Sequence, residues 1–114
     1  MSKTKVWQVF YFVSEQGEIP FADWLTGIKD PITRKRILSR IRRLENGNFG
    51  DCKFLEKGVS ELRLFFGPGY RVYFGKDEEK IVVLLCGGDK TTQDQDIKTA
   101  QTFWQEYLSW KQKE

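Results

Sequence analysis

Residues 61–75 read ELRLFFGPGYRVYFG, and the way this stretch folds decides how the rest of the chain packs. Gly67-Pro68-Gly69 separates two runs rich in apolar residues and is the strongest hairpin signal in the sequence. A three-residue loop over those positions predicts Phe66 opposite Tyr70, Phe65 opposite Arg71, Arg63 opposite Tyr73 and Glu61 opposite Gly75. Paired residues share a sheet face and alternate residues point the same way. One face then carries Leu62, Leu64, Phe66, Tyr70, Val72 and Phe74, and the other carries Glu61, Arg63, Phe65, Arg71 and Tyr73. A one-residue slip would set Leu64 beside Arg71 and mix the two sets, so the clean partition argues for this register.

The second set is expected to face water and to bring two arginines together. Close like charges repel unless an anion or water intervenes, and Glu61 neutralises only one of them. Two readings fit: an ordinary surface ion pair worth about 0–1 kcal/mol, or a phosphate site, since Arg offers a planar fork of donors matched to phosphate oxygens.

Beyond the charged turn at 76–80, Ile81 to Cys86 is a continuous apolar run. Such a run suits a strand covered on both sides. After Gly87-Gly88-Asp89 a helix is expected to begin, with Thr92 and Gln95 at capping-box spacing and Asp94 and Asp96 in the first turn. Its N-terminus with Lys90 beside it is a second candidate anion site. The glycine spacing before that lysine excludes a nucleotide-binding P-loop.

Toward the N-terminus, Trp7 to Val13 is rich in strand formers. Phe21, Trp24 and Leu25 suggest a short helix facing inward. A longer helix is marked by Asp30 as N-cap, Pro31 in the first turn and Asn46-Gly47 as the stop. Ile37, Leu38, Ile41 and Leu44 form its apolar stripe, and Arg34, Lys35, Arg36, Arg40, Arg42 and Arg43 occupy most of the remainder. Arg40 and Arg43 are candidate RNA contacts, although a charged helix face can equally be solvated or meet an acidic protein. Residues 48–57 read as a loop delivering Lys53 and Lys57, either to phosphates or to solvent. Ile97, Ala100, Trp104, Tyr107 and Leu108 give the last helix a stripe expected to pack on the apolar face of the hairpin. Phe103 and Trp110 fall beside it as core or as a partner surface.

At 114 residues the chain reads as one domain over 1–114, and its 39% hydrophobic and 15% aromatic content argues against disorder. No run approaches the roughly 20 apolar residues of a membrane span. Met1–Lys5 shows no secretory pattern, so a cytoplasmic protein is expected. Without histidine, histidine-based catalysis and mixed Cys/His zinc sites are excluded. Two cysteines make no disulfide framework. Residues 1–76 hold 14 Lys or Arg against 8 acids, whereas 77–114 hold 5 against 8. That asymmetry is the footprint of a nucleic-acid binder. The element order implies an α+β protein, two N-terminal helices and a C-terminal helix on a small antiparallel sheet.

Glu61-Leu62-Arg63, residues 67–73 (GPGYRVY), residues 84–93 (LLCGGDKTTQ), Asp96-Ile97 and Ala100, with Phe21, Trp24, Asp30 and Gly58-Val59-Ser60, resemble the addiction module killer proteins. These are HigB-like toxins of the RelE/ParE toxin superfamily. The resemblance covers most of the chain and implies the superfamily's compact α+β fold. It implies a type II toxin neutralised by a cognate helix-turn-helix antitoxin and acting on the ribosome and its mRNA as an endoribonuclease. No metal, other cofactor or membrane enters that activity. By resemblance Arg71 would clamp the phosphorane, with Arg63 and Lys90 beside it, Tyr73 positioning a base or passing a proton, and Glu61 as general base or as the group that orients Arg63. The chain departs from relatives that end their last strand near a histidine or tyrosine, so the general acid is not assigned. The superfamily also contains ParE-like toxins that bind DNA gyrase without cutting, and relatives that only bind an antitoxin.

Overall fold

The computed structural model describes residues 6–112; Met1–Lys5, read above as lacking a secretory pattern, lie outside them. Five strands and three helices alternate as β1 (Gln8–Tyr11), α1 (Pro20–Thr26), α2 (Pro31–Glu45), β2 (Cys52–Phe54), β3 (Val59–Arg63), β4 (Arg71–Asp77), β5 (Ile81–Gly88) and α3 (Gln93–Gln112). Short 3-10 turns at Glu56–Gly58 and Lys90–Thr92 precede β3 and α3. The sheet order is β1-β5-β4-β3-β2. β1 runs parallel to β5 and the other pairs are antiparallel. The sheet is therefore mixed, not purely antiparallel, and the segment read as a loop over 48–57 contributes the short edge strand β2. Three residues are too few to show an alternation that would announce a strand.

The β3–β4 hairpin is paired two residues away from the expected register: Arg63 stands opposite Arg71, Glu61 opposite Tyr73 and Val59 opposite Gly75. The loop is longer because Leu64 N–H donates to the Tyr70 carbonyl at 3.0 Å and Gly69 N–H to that of Phe66 at 3.3 Å. Gly67 and Gly69, both at positive φ (61° and 81°), supply the left-handed steps that other residues adopt at a cost. A slip of two leaves every side chain on its expected face. Leu62, Leu64, Val72 and Phe74 accordingly join Phe21, Leu25, Ile37, Ile41 and Leu44 in one buried cluster under α1 and α2. Leu38 is exposed at the margin of the α2 stripe. Asp30 caps α2 as expected, accepting from Ile32 N–H at 3.1 Å.

α3 departs from its expected position. It packs on the opposite face, where Ala100 and Trp104 meet Phe12, Val59, Tyr73, Val83, Leu85 and Cys86. A shift in register between Tyr73 and Phe74, which pair with Cys86 and Leu84, leaves Leu85 as an extra residue, so Leu85 and Cys86 both face α3. Trp104 lies against Gly58 and Gly75, where a Cβ would meet its indole. The start of α3 is set by Asp89, not Thr92: Asp89 and Thr92 form a reciprocal capping box around the 3-10 turn. Among the described residues no helix is long and apolar enough to cross a membrane.

Candidate functional site

Strand pairing builds two adjacent rows of side chains on the α3 face. The first contains Arg63 and Arg71 directly opposite one another, with Gly88 of β5 next in line. The second runs Lys53, Glu61, Tyr73 and Cys86 across β2, β3, β4 and β5. Glu61 is the hub. One carboxylate oxygen lies 3.4 Å from Arg63 Nε; the other lies 3.9 Å from Arg71 Nε and accepts from Gln93 Nε2 of α3 at 2.7 Å.

The expectation of a water-facing surface needs correcting here. The Glu61 side chain is 1% exposed, Arg71 13% and Arg63 35%, and Tyr73 is fully buried. The arginines share a face as read from alternation, but α3 closes over the inner part of it. Arg63 reaches the surface, Arg71 stands half-closed behind it, and Glu61 and Tyr73 lie beneath. Glu61 therefore meets no solvent, and its carboxylate is committed to holding the guanidinium groups.

Two buried side-chain atoms among the described residues have no hydrogen-bond partner: Arg71 Nε and Tyr73 Oη. They are two residues apart on one strand, on one face. An unsatisfied buried donor costs about 1–3 kcal/mol, and both donors here have the Glu61 carboxylate as their neighbouring acceptor without a well-formed hydrogen bond to it. Burial raises the Tyr73 phenol well above its ordinary value; the nearby Glu61 and Asp96 charges push the same way, as does the Glu61 carboxylate as a loose acceptor for the hydroxyl. The hydroxyl accordingly keeps its proton at neutral pH and is a donor, not a base.

Asp96 and Gln93, both from the first turns of α3, complete the surroundings, and the sequence reading gave neither a site role. Asp96 occupies the space a side chain at Gly88 would fill and accepts from Thr92 Oγ1, which puts its carboxylate at the end of the arginine row. The signal for both lay in the capping residues at 89–96, read only as a helix start.

The remaining candidates are dispersed. Lys90 is exposed on the 3-10 turn, its stem lying over Gly69 at the hairpin tip. Lys53 is exposed on β2, opposite Glu61. Lys57 is exposed in the Glu56–Gly58 turn, which Gln101 of α3 ties down by donating to the Glu56 carbonyl at 3.2 Å. Arg40 is not a free cation of the helix face. Its guanidinium donates to the Asn48 carbonyl at 3.3 Å and to that of Phe49, anchoring the segment that leads into β2, and burial lowers its pKa. Arg43 is exposed and makes no ion pair among the described residues. No cluster of three or more His, Cys, Asp or Glu that could hold a metal occurs among the described residues.

Fold and site together define a small mixed α+β protein with a cross-strand arginine pair, Arg63 and Arg71, held by Glu61 beside the N-terminal end of its last helix. Residues 23–105 match the family described as "Phage derived protein Gp49-like (DUF891)", and the chain belongs to that family. The matched stretch runs from α1 into α3 and contains every residue of the two rows. An uncharacterized protein of Haemophilus influenzae (strain ATCC 51907 / DSM 11121 / KW20 / Rd) is 48% identical over 88 residues, covering 77% of this chain and 89% of its own length.

Proposed function

We propose that this protein is the toxin of a type II toxin–antitoxin pair, of the HigB-like RelE/ParE kind, and that it cleaves messenger RNA on the ribosome. The Gp49-like family is associated with toxin–antitoxin systems. The observation that carries the reading is the pair Arg63 and Arg71 set directly opposite, with Arg71 Nε buried and making no hydrogen bond.

In the reaction a ribose 2′-oxygen forms a bond to the adjacent phosphorus while the bond from phosphorus to the 5′-oxygen breaks. The 2′-hydroxyl proton leaves to a base and the departing 5′-oxygen gains one, giving a 2′,3′-cyclic phosphate and a 5′-hydroxyl. Negative charge builds on the equatorial oxygens, and guanidinium groups fixed beforehand stabilise it without reorganising. Arg71 clamps those oxygens and Arg63, nearer the surface, meets the phosphate as it enters. Glu61 and Gln93 are positioning residues that hold the two forks. Lys90 adds charge at the hairpin tip, and Tyr73, holding its proton, is a donor behind Arg71.

The antitoxin's seat lies elsewhere in this reading. A cleft of about 600 Å³ between β1 and α3 is lined by Phe10, Tyr11, Val13, Tyr107 and Trp110, and beside it β1 is an unpaired sheet edge. Phe103, by contrast, stacks on Phe12 at 5.0 Å and belongs to the core.

Expressing wild type and Arg71→Ala from an inducible promoter and mapping 5′ ends of cellular transcripts tests the proposal. Codon-phased cuts and growth arrest are expected with wild type only. One observation favours a second reading: burial withdraws Glu61 and Tyr73, the acid and the phenol of the arginine face, from direct contact with a substrate, which suits a ParE-like toxin that binds gyrase. Growth arrest with intact transcripts and altered plasmid supercoiling would select that reading.

A further inference from the structure

The basic face of α2 and the tip of the β3–β4 hairpin enclose a groove that the arginine pair does not account for. Its volume is about 430 Å³, and Arg36, Arg40, Arg43, Arg63, Phe65 and Phe66 line it, with Asp51 as the single carboxylate. Arg40 is occupied with backbone carbonyls, and Arg36 lies with its guanidinium carbon 3.9 Å from the centre of the Phe66 ring. That leaves Arg43 exposed, Arg63 partly exposed with its Nε on Glu61, and Phe65 79% exposed. The Phe65 ring lies outside both core clusters and stands in the groove beside these cations, with its face free to meet another planar group.

We infer that this groove holds a single-stranded stretch of RNA, with Phe65 as the surface on which one base stacks. The inference rests on the nuclease reading above and deepens it. Arg63 belongs both to the groove and to the row with Arg71, so a strand lying along Arg43 and Arg63 leads its backbone to the proposed clamp. Phosphates meet the arginines and bases meet the ring, the combination by which single strands are held with little sequence preference. A duplex keeps its base faces stacked inside and has none to offer Phe65. An acidic peptide would satisfy the arginines but leave the ring unexplained.

The probe is a fluorescein-labelled ten-nucleotide 2′-O-methyl oligo(U), whose blocked hydroxyl prevents the cleavage reaction, so anisotropy reads binding alone. Phe65→Ala is expected to weaken binding about 5- to 100-fold, and Phe65→Trp to retain it. Arg43→Gln should reduce the slope of log affinity against log salt by about 0.7, one phosphate's worth for a single strand. Unchanged affinity in Phe65→Ala would overturn the inference. So would equal binding of a duplex of the same length, or displacement of the oligonucleotide by polyglutamate of matched charge, which would mark the groove as a protein surface. Failure of the nuclease reading is separate: it would appear as Arg71→Ala retaining toxicity while Phe65 still governs binding of the probe.

Discussion

The two faces of β4 carry alternate residues of one strand and have opposite characters. Val72 and Phe74 point toward α1 and α2 into a closed cluster built from aliphatic and aromatic groups. Arg71 and Tyr73 point toward α3, where the Nε of one and the hydroxyl of the other are buried without partners. A helix covers each face, so burial alone does not separate them. What separates them is what they bury: one face buries apolar groups, and the other buries two donors that make no well-formed hydrogen bond. A well-packed opposite face can hold such incompletely satisfied groups in place.

The largest effect is expected from breaking the closed face. Phe74 is fully buried, and Phe74→Ala should cost about 3–5 kcal/mol, read as a lower urea midpoint, with loss of toxicity only through loss of folded protein. Next is the hub of the open face. Glu61→Gln keeps the side-chain shape but removes the charge that faces two guanidinium groups. It should cost about 1–3 kcal/mol and abolish toxicity even where folded protein persists, as circular dichroism would show. Full toxicity at normal stability would remove Glu61 from the site. Tyr73→Phe is the sharper test, because it removes a hydroxyl that makes no well-formed hydrogen bond. Stability should stay level or rise by up to about 1 kcal/mol while growth arrest weakens. A clear loss of stability would mean that the hydroxyl is satisfied in solution and that the two faces do not differ in this respect.

The faces were legible in the sequence because alternation has a period of two, and the hairpin's actual slip of two residues preserves it. The partners across the hairpin were not, since loop length depends on how Gly67 and Gly69 turn the chain, and the longer loop is what sets Arg63 opposite Arg71 instead of Tyr73. The side chosen by α3 could have been inferred. Ile81 to Cys86 is apolar at every position, which requires cover on both faces, so a helix on the arginine side follows from β5 even though the hairpin alone suggests open water. The parallel pairing of β1 was out of reach, because alternation says nothing about strand direction. Glu61 was identifiable as the carboxylate of the arginine face. Its burial was not, because that depends on Gln93 arriving from thirty-two residues away.

The far end of the α3 face gives the smallest predicted effect and the most direct control on the comparison. Asp77 closes β4, six residues beyond Arg71 and on the same face, and it too is a buried polar group. Here every demand is met: Tyr107 Oη donates at 2.6 Å and Lys111 Nζ at 2.7 Å. Burial by itself would raise the Asp77 pKa, but those two donors outweigh it and hold the carboxyl below its ordinary value. A depressed carboxyl stabilises the fold fully above its unfolded pKa of about 4, and the contribution is lost as pH falls through the folded value. Wild type should therefore exceed Asp77→Asn in urea midpoint by the widest margin near neutral pH, and the gap should close toward pH 3. Salt should narrow it modestly, since Lys111 is partly exposed. Toxicity should be unaffected, because this end of the face has no unpartnered group to offer. A gap that stays constant with pH would assign the contact to packing, whereas loss of toxicity at neutral pH in a stable variant would extend the functional strip along the whole of α3.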